Sequence, residues 1–429
     1  MLDIKLIRSN PESVRSNLRK REDPENLKML DELIKHDTKW RQSLTELNNL
    51  RHQRRLMTTE IAMLRKGGDE TSQAISRARK IDKEIKSLET LVNRTERAIH
   101  DCLIRLPNLL HESVPIGKGE NDNVTVRRFG QTPEFSFPVK DHIDIGVGLG
   151  VIDIERAAKV AGARFYYLKG NAVFLDMALL KFALAEMATK GFVPVAPPYL
   201  MRRKAYEGVT SLDDFEGDLY KIEDEDLYLI ATSEHPIAAM HMDEVLNTEE
   251  LPLRFVGISA NFRKEAGAHG RDTRGIFRTH QFNKVEQFVF SKPESSWEIH
   301  EELVHNAEEL VQKLALPYRV VNVCTGDIGT VTAKRYDIEV WMPAQEAYRE
   351  TISCSNCTDY QARTLNIRYR EKSGAPPKGF VHTLNSTALA TGRTIVAILE
   401  NYQQSDGSVI VPEVLRKHMG GIRKMEPER

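Results

Sequence analysis

The sequence predicts an α+β protein: an N-terminal antiparallel two-helix coiled-coil arm, then a domain with a mainly antiparallel sheet flanked by helices. Three observations lead there. Residues 28–105 contain no proline and carry a helical period of apolar residues. A glycine pair, Gly67-Gly68, interrupts that stretch near its middle. Beyond residue 123, strand-like runs succeed one another through short, often hairpin-like connections, without a helix between each pair.

The arm comes first. Ile81, Ile85, Leu88, Val92, Thr95, Ile99 and Cys102 follow a strict 4-3-4-3 spacing, an a/d seam. In the first half Leu33, Trp40, Leu44, Leu47 and Ile61 fit the same spacing, but Asp37, Arg51, Arg54 and Thr58 also fall on it. Arg65-Lys66-Gly67-Gly68-Asp69 can break and reverse the chain. Two helices of roughly 35 residues would reach about 50 Å. One buried seam suffices for a two-helix arm but not for a compact domain, so the arm is expected to project. Arg41, Arg51, Arg54, Arg55, Arg65 and Lys66 populate its first helix, and Arg77, Arg79, Lys80, Lys83 and Lys86 its second. Such charges are usually a solvated coiled-coil surface. A cluster near the tip of an arm is also what binding a phosphate backbone requires.

A polar linker, Pro107 to about Asn123, marks the domain boundary. It divides the chain into an arm domain, 1–110, and a larger domain, 111–429. After it come a helix at 176–190 ending at Gly191, strands at 192–196, 227–231, 253–262, 282–290, 318–323, 336–341 and 348–353, and helices at 234–247, 294–314 and 387–402. No Walker motif and no Gly-x-Gly-x-x-Gly at a strand–helix turn occurs, which closes the P-loop and dinucleotide routes.

Composition narrows the class. The 429 residues are 41% hydrophobic and 29% charged, ordinary for a soluble globular protein. A net charge of −1 predicts no global attraction to nucleic acid, so a polyanion site must be a local patch. No apolar run approaches bilayer length, and the N-terminal residues hold no uninterrupted apolar stretch, so neither a membrane nor a secretory route is expected. Four cysteines are too few for a disulfide framework, which predicts a reducing, cytoplasmic setting. Cys354-Ser-Asn-Cys357 has no second pair to complete a zinc site and no thioredoxin-like context.

The chemistry concentrates in NFRKEAGAHGRDTRGIFRTHQFNKVE, residues 261–286. Arg263 and Glu265 are two apart, so on a strand they would face one side. Arg271, Arg274 and Arg278 follow, and Phe282 shares a face with Arg278 if the second strand is regular. Arginines hold polyphosphates bidentately and a Phe ring stacks on a base. This is the equipment of an ATP site without a P-loop lysine.

The stretch resembles the second signature motif of class II aminoacyl-tRNA synthetases. The helix at 176–190 with Gly191–Leu200 and Pro198 resembles their first motif, and Ala390-Thr391-Gly392-Arg393-Thr394 their third. With the basic arm and the segments TSE, FRKEAG, DTRG, QFNKVEQF, SCSN and LENYQ, the whole chain resembles the seryl-tRNA synthetase family, in its zinc-free, bacterial-like type.

The resemblance implies a class II catalytic domain at 111–429 and a tRNA-binding domain at 1–110. It implies that Thr232 and Glu234 bind the amino group of serine, with Ser233, Arg263, Glu286, Asn385 and Thr387 completing the amino-acid site. An ammonium needs such a carboxylate and hydroxyl. Thr232 and Glu234 also fit a cap opening a helix at 234. Arg263, Lys264, Glu265, Arg278, Phe282, Glu350, Thr351, Ile352, Ser353 and Arg393 are implied for ATP, with Glu350 and Ser353 holding Mg²⁺. Arg41, Arg51, Arg54, Arg55, Arg77 and Lys80 are implied for tRNA. The implied partners are L-serine, ATP, tRNA(Ser) and a second copy of the chain, whose active site the arm would serve; the sequence leaves open whether tRNA(Sec) is also charged. Thr387 departs from the serine common at its position. His235, His241, His269 and His280 are expected to be structural or peripheral, because a serine carboxylate needs no general base. Two rivals are a synthetase-like ligase that loads a carrier protein, whose relatives lack the arm, and a catalytically silent binding protein, which would have lost Arg263, Glu286, Glu350 or Arg393.

Overall fold

The computed structural model describes residues 1–210, 217–266, 272 and 274–427. The chain divides into two compact units, 1–107 and 108–429.

In the first unit two long helices, α1 (Pro24–Gly67) and α2 (Ser72–Arg105), lie against each other. Asp23 caps α1, accepting the Glu25 N–H at 2.9 Å, and Pro24 occupies the first turn, where its missing N–H costs nothing. Gly68, at φ +79°, ends α1 in the left-handed conformation that glycine adopts without strain. Ion pairs cross the hairpin at Arg51–Glu89 (2.8 Å), Arg54–Asp82 (2.7 Å) and Arg77–Glu60 (3.2 Å), which fixes the helices as antiparallel.

The α2 seam holds Ala74, Ala78, Val92 and Thr95 buried, with Ile81, Ile85, Leu88, Ile99 and Cys102 partly so. On α1 the spacing slips. Leu33, Asp37, Trp40 and Leu47 face inward, but beyond them Leu50 and Met57 take the places predicted for Arg51 and Thr58, which are exposed. Two successive three-residue steps, 37–40–43, shift the phase by one residue and let apolar side chains reach the seam. Asp37 is tolerated at 3% exposure because Arg8, from a short helix (Ile4–Ser9), and Arg41 both pair with it.

The second unit is built on an eight-stranded sheet. Its strands are β1 (Val124–Phe129), β2 (Val193–Val195), β3 (Leu253–Phe262), β4 (Gln281–Ser291), β5 (Tyr318–Asn322), β6 (Lys334–Met342), β7 (Ala347–Asn356) and β8 (His382–Ala390), in the order β1-β5-β6-β7-β8-β4-β3-β2. All neighbours are antiparallel except β2 and β3. Three helices pack on it: α3 (Asn171–Thr189), α4 (Ser296–Lys313) and α5 (Thr391–Asn401). Side chains alternate along each strand. Val285, Val289, Ile352, Cys354, Leu384 and Ala388 enter the apolar core beneath those helices. Their neighbours in sequence turn to the other face, where the cavity described below opens.

Four predicted elements need correction. Helix α3 begins at Asn171, ahead of residue 176. The helix predicted at 234–247 spans only Glu234–Ala239; Asp243 takes φ +65° and Val245–Asn247 pairs with Arg368–Arg370 in a small sheet. Residues 387–390 are strand, since β8 is zipped to β4 up to Ala390, and the helix starts at Thr391. Arg263 and Glu265 lie past the end of β3, and Arg278 lies before β4, so neither pairing rests on a regular strand.

Candidate active site

A cavity of about 390 Å³ opens on the sheet face away from the three helices. Strand β4 supplies its floor. Phe282, Lys284 and Glu286 alternate with core residues and all line it. Glu286 is 1% exposed and Lys284 6%, and the ammonium lies 2.7 Å from Glu286 Oε2. Thr387 of β8 sits directly across from Glu286, and Asn385, two residues earlier, shares its face.

Glu234 opens its short helix at the cavity wall. Its N–H donates to Thr232 Oγ1 at 3.2 Å, so Thr232 acts as a cap while lining the site. Its carboxylate accepts from Asn385 Nδ2 at 3.1 Å and Gln361 Nε2 at 3.4 Å. Burial, then the nearby charge of Glu286, pushes Glu234 up to about 7. His235 also lines the cavity, bonds the Tyr206 hydroxyl at 2.9 Å, and burial holds it neutral.

At the other end arginines dominate. Arg263 donates to the Ala231 carbonyl at 3.2 Å and lies 5.1 Å over the Phe282 ring. Glu265, at φ +53°, turns back and pairs with Arg278. The cation and carboxylate of that motif therefore meet across the loop rather than along one strand. Arg393, from the first turn of α5, donates to the Glu350 carbonyl at 2.9 Å and to its carboxylate at 3.2 Å. Phe277 lies under both Arg393 and Arg349, at 5.1 and 4.5 Å.

Glu350 and Ser353 are three residues apart, which on a regular strand would point them to opposite faces. A register shift in β7 between its partners Ile338 and Glu339 leaves Thr351 as the extra residue, and Glu350, Thr351 and Ser353 all line the cavity. Burial opposes the Glu350 charge, but Arg393, Arg335 and Arg263 outweigh it and hold the carboxyl below its usual range. Burial raises neighbouring Asp337, which Arg335 grips at 2.6 Å. A carboxylate and a hydroxyl on one face are hard oxygen donors. They suit a small divalent cation that completes its shell with phosphates and water.

Three predicted residues do not line the cavity. Ser233 is fully buried against Gly257. Ile352 points into the core on the opposite face. Lys264 extends over the Tyr220 ring. Arg271 and His269 lie outside the described residues. His241 pairs with Glu244 and His280 bonds the Arg263 carbonyl, both at 2.8 Å. Lys284, Gln361 and Arg335 were missed in the sequence reading. Only Lys284 left a signal there: it shares the two-residue alternation of Phe282 and Glu286.

Residues 1–110 match the model of the seryl-tRNA synthetase N-terminal domain, and residues 220–402 that of the class II tRNA synthetase core domain (G, H, P, S and T). A serine–tRNA ligase of Methanocella arvoryzae is 54% identical, over 98% of this chain and 99% of its own. Among solved structures, seryl-tRNA synthetase from Pyrococcus horikoshii complexed with ATP superposes with a TM-score of 0.96 at 52% identity, covering 100% of both chains. The cytoplasmic serine–tRNA ligase of Naegleria fowleri in complex with AMP gives 0.89 at 39% identity, over 100% of this chain and 99% of that one. With its arm, its antiparallel sheet and this cavity, the chain belongs to the seryl-tRNA synthetase family.

Proposed function

We propose that the protein activates L-serine with ATP and transfers the seryl group to tRNA(Ser), with tRNA(Sec) as a further acceptor. Residues 1–110 serve as the tRNA-binding domain and 111–429 as the catalytic domain. The observation that carries this is the division of one cavity into two ends: a small acid-lined pocket of Glu234, Glu286, Asn385 and Thr387, and an arginine-lined cleft of Arg263, Arg278 and Arg393.

The serine ammonium binds Glu234 and Thr232, its carboxylate faces Arg263, and its hydroxyl donates to Glu286 beside Thr387. The adenine stacks on Phe282, opposite the ring face that Arg263 covers. The serine carboxylate oxygen attacks the α-phosphorus, the bond to the β-phosphate oxygen breaks, and pyrophosphate leaves. Arg263, Arg278 and Arg393 offset charge on the transferring group. Glu350 and Ser353 would hold Mg²⁺, which when bound neutralises the polyphosphate. A ribose hydroxyl at the tRNA 3′ end then displaces AMP from the seryl-adenylate.

A homodimer is supported by an apolar surface on α3 and the strands after it. Phe174 is 56% exposed, Met177 61% and Val193 56%, more than isolated surface residues explain. A cytoplasmic setting is supported by four free cysteines, three of them buried. Among the described residues no helix is long and apolar enough to cross a membrane. The carrier-protein ligase is disfavoured by the match of residues 1–110 to a tRNA synthetase domain.

Serine-dependent exchange of pyrophosphate into ATP, followed by charging of tRNA(Ser), tests the assignment. Exchange stimulated by another amino acid and not by serine would refute it.

A further inference from the structure

Of the charged side chains in the cavity, Glu265, Arg335 and Lys284 have no part in the reaction above, and Lys284 is nearly as buried as Glu286. A buried ammonium is costly unless it is paired. Here the pair is Glu286 itself, two residues along the same strand face. Among the described residues the Glu286 side chain has no other ion-pair or hydrogen-bond partner, its backbone being held in the sheet. From the surrounding elements, Glu234 and His235 face the pair from their helix and Arg263 from beyond β3.

Resting on the serine pocket assigned above, we propose that Lys284 is a positioning residue for substrate selection. It occupies one carboxylate oxygen of Glu286, keeps that group ionised beside Glu234, and leaves one oxygen to accept the substrate hydroxyl.

Charge balance supports this. Glu234 and Glu286 are like charges in one buried site, where two carboxylates do not readily ionise together. Lys284 and Arg263 offset them. Serine enters as a zwitterion, its ammonium taken by Glu234 and its carboxylate by Arg263. Lys284 therefore remains the counter-charge of Glu286 in the bound state. Selection depends on that charge. An ionised Glu286 is acceptor-only and is left unpaired by a ligand without a hydroxyl. A protonated Glu286 is also a donor and loses the preference.

The test compares Lys284→Met, Glu286→Gln and the double variant in the full-length protein, by serine-dependent pyrophosphate exchange across pH. Lys284→Met should raise the serine KM at least about tenfold while the ATP KM stays within about twofold. Its serine kcat/KM should show an additional ionisation, because Glu286 must lose its proton without help. That ionisation should vanish in the double variant, where Lys284→Met should add little to Glu286→Gln. Lys284→Arg, which keeps the cation, should remove the additional ionisation. Lys284→Gln gives the same readouts if the Met variant does not fold. An unchanged serine KM in Lys284→Met overturns the inference, as does an equal penalty in both backgrounds or a wild-type pH profile. A normal serine KM in Glu286→Gln overturns the pocket assignment itself. An impaired Glu286→Gln with a normal Lys284→Met overturns only the role of Lys284.

Discussion

The arm and the sheet use the same ion-pair chemistry in opposite surroundings. On the arm, Arg51 and Glu89 pair with side chains 50% and 42% exposed. In the sheet, Lys284 and Glu286 pair with side chains 7% and 2% exposed. Water and salt screen the first kind, which contributes little to stability and leaves its cations available to a polyanion. The second kind is fixed by strand geometry and barely screened, so it sets the charge a ligand meets. One unit thus presents charge to a partner, and the other commits charge to a pocket.

Glu286→Ala should cut serine-dependent pyrophosphate exchange by at least about two orders of magnitude, since a buried charged partner of the substrate is lost. Unchanged turnover would move the pocket elsewhere. Shortening the arm by removing residues 44–95 and joining the helices with a turn should leave exchange nearly intact while tRNA charging falls steeply. This cut keeps the buried Asp37 with Arg8 and Arg41, so the base of the hairpin retains its pairing. Loss of exchange in a folded, shortened protein would break the separation.

Glu234 gives a pH test with a defined sign. Its folded-state pKa is raised, to about 7, so below that pH it is largely protonated and does not hold an ammonium by charge. Serine kcat/KM should rise roughly tenfold per pH unit up to about pH 7 and then level off. The folded state binds this proton more tightly than the unfolded state. Stability is therefore lost as pH rises from the unfolded value through about 7. Glu234→Gln should gain stability over the parent at pH 8 and not at pH 5. Equal melting behaviour at both pH values would remove the buried-acid assignment.

The sequence made the sheet more legible than the site. Strand β3 was read to its ends because Phe255, Val256, Ile258 and Phe262 lie between Pro252 and the Gly-rich loop that follows. The helix at 387–402 was overextended because an apolar run does not distinguish strand from buried helix; pairing with β4 decides that. The α1 seam was misphased beyond Leu47 because strict spacing was carried through a point where the helix slips by one residue. Most candidate site residues, named through motif resemblance, line one cavity. Their geometry was not legible, since Glu265 reaches Arg278 through a left-handed backbone, and Glu350 joins Ser353 through a bulge. Neither leaves a periodic trace. Lys284 did leave one and went unread, because a lysine in a strand looks like a solvated residue until burial shows otherwise.

The smallest expected effect separates the arm's own cations. Arg51, Arg54 and Arg77 are each met by an acid of the opposite helix, whereas Arg55 and Lys80 are exposed and, among the described residues, make no side-chain ion pair. A cation that releases a counterion on binding phosphate adds about 0.9 to the slope of log affinity against log salt. Arg55→Gln and Lys80→Gln should each lower the tRNA slope by nearly that amount. Arg51→Gln should lower it less, because Glu89 already neutralises that charge and few counterions are held there. Removing the acid provides the opposite sign: Glu89→Gln frees Arg51 and should steepen the slope and tighten tRNA binding at low salt. None of these changes should alter serine or ATP KM, since none of these side chains lines the cavity. If Arg51→Gln lowers the slope as much as Arg55→Gln, the hairpin pairs open on tRNA binding, and the arm's ion pairs are a reserve of charge rather than a neutralised surface.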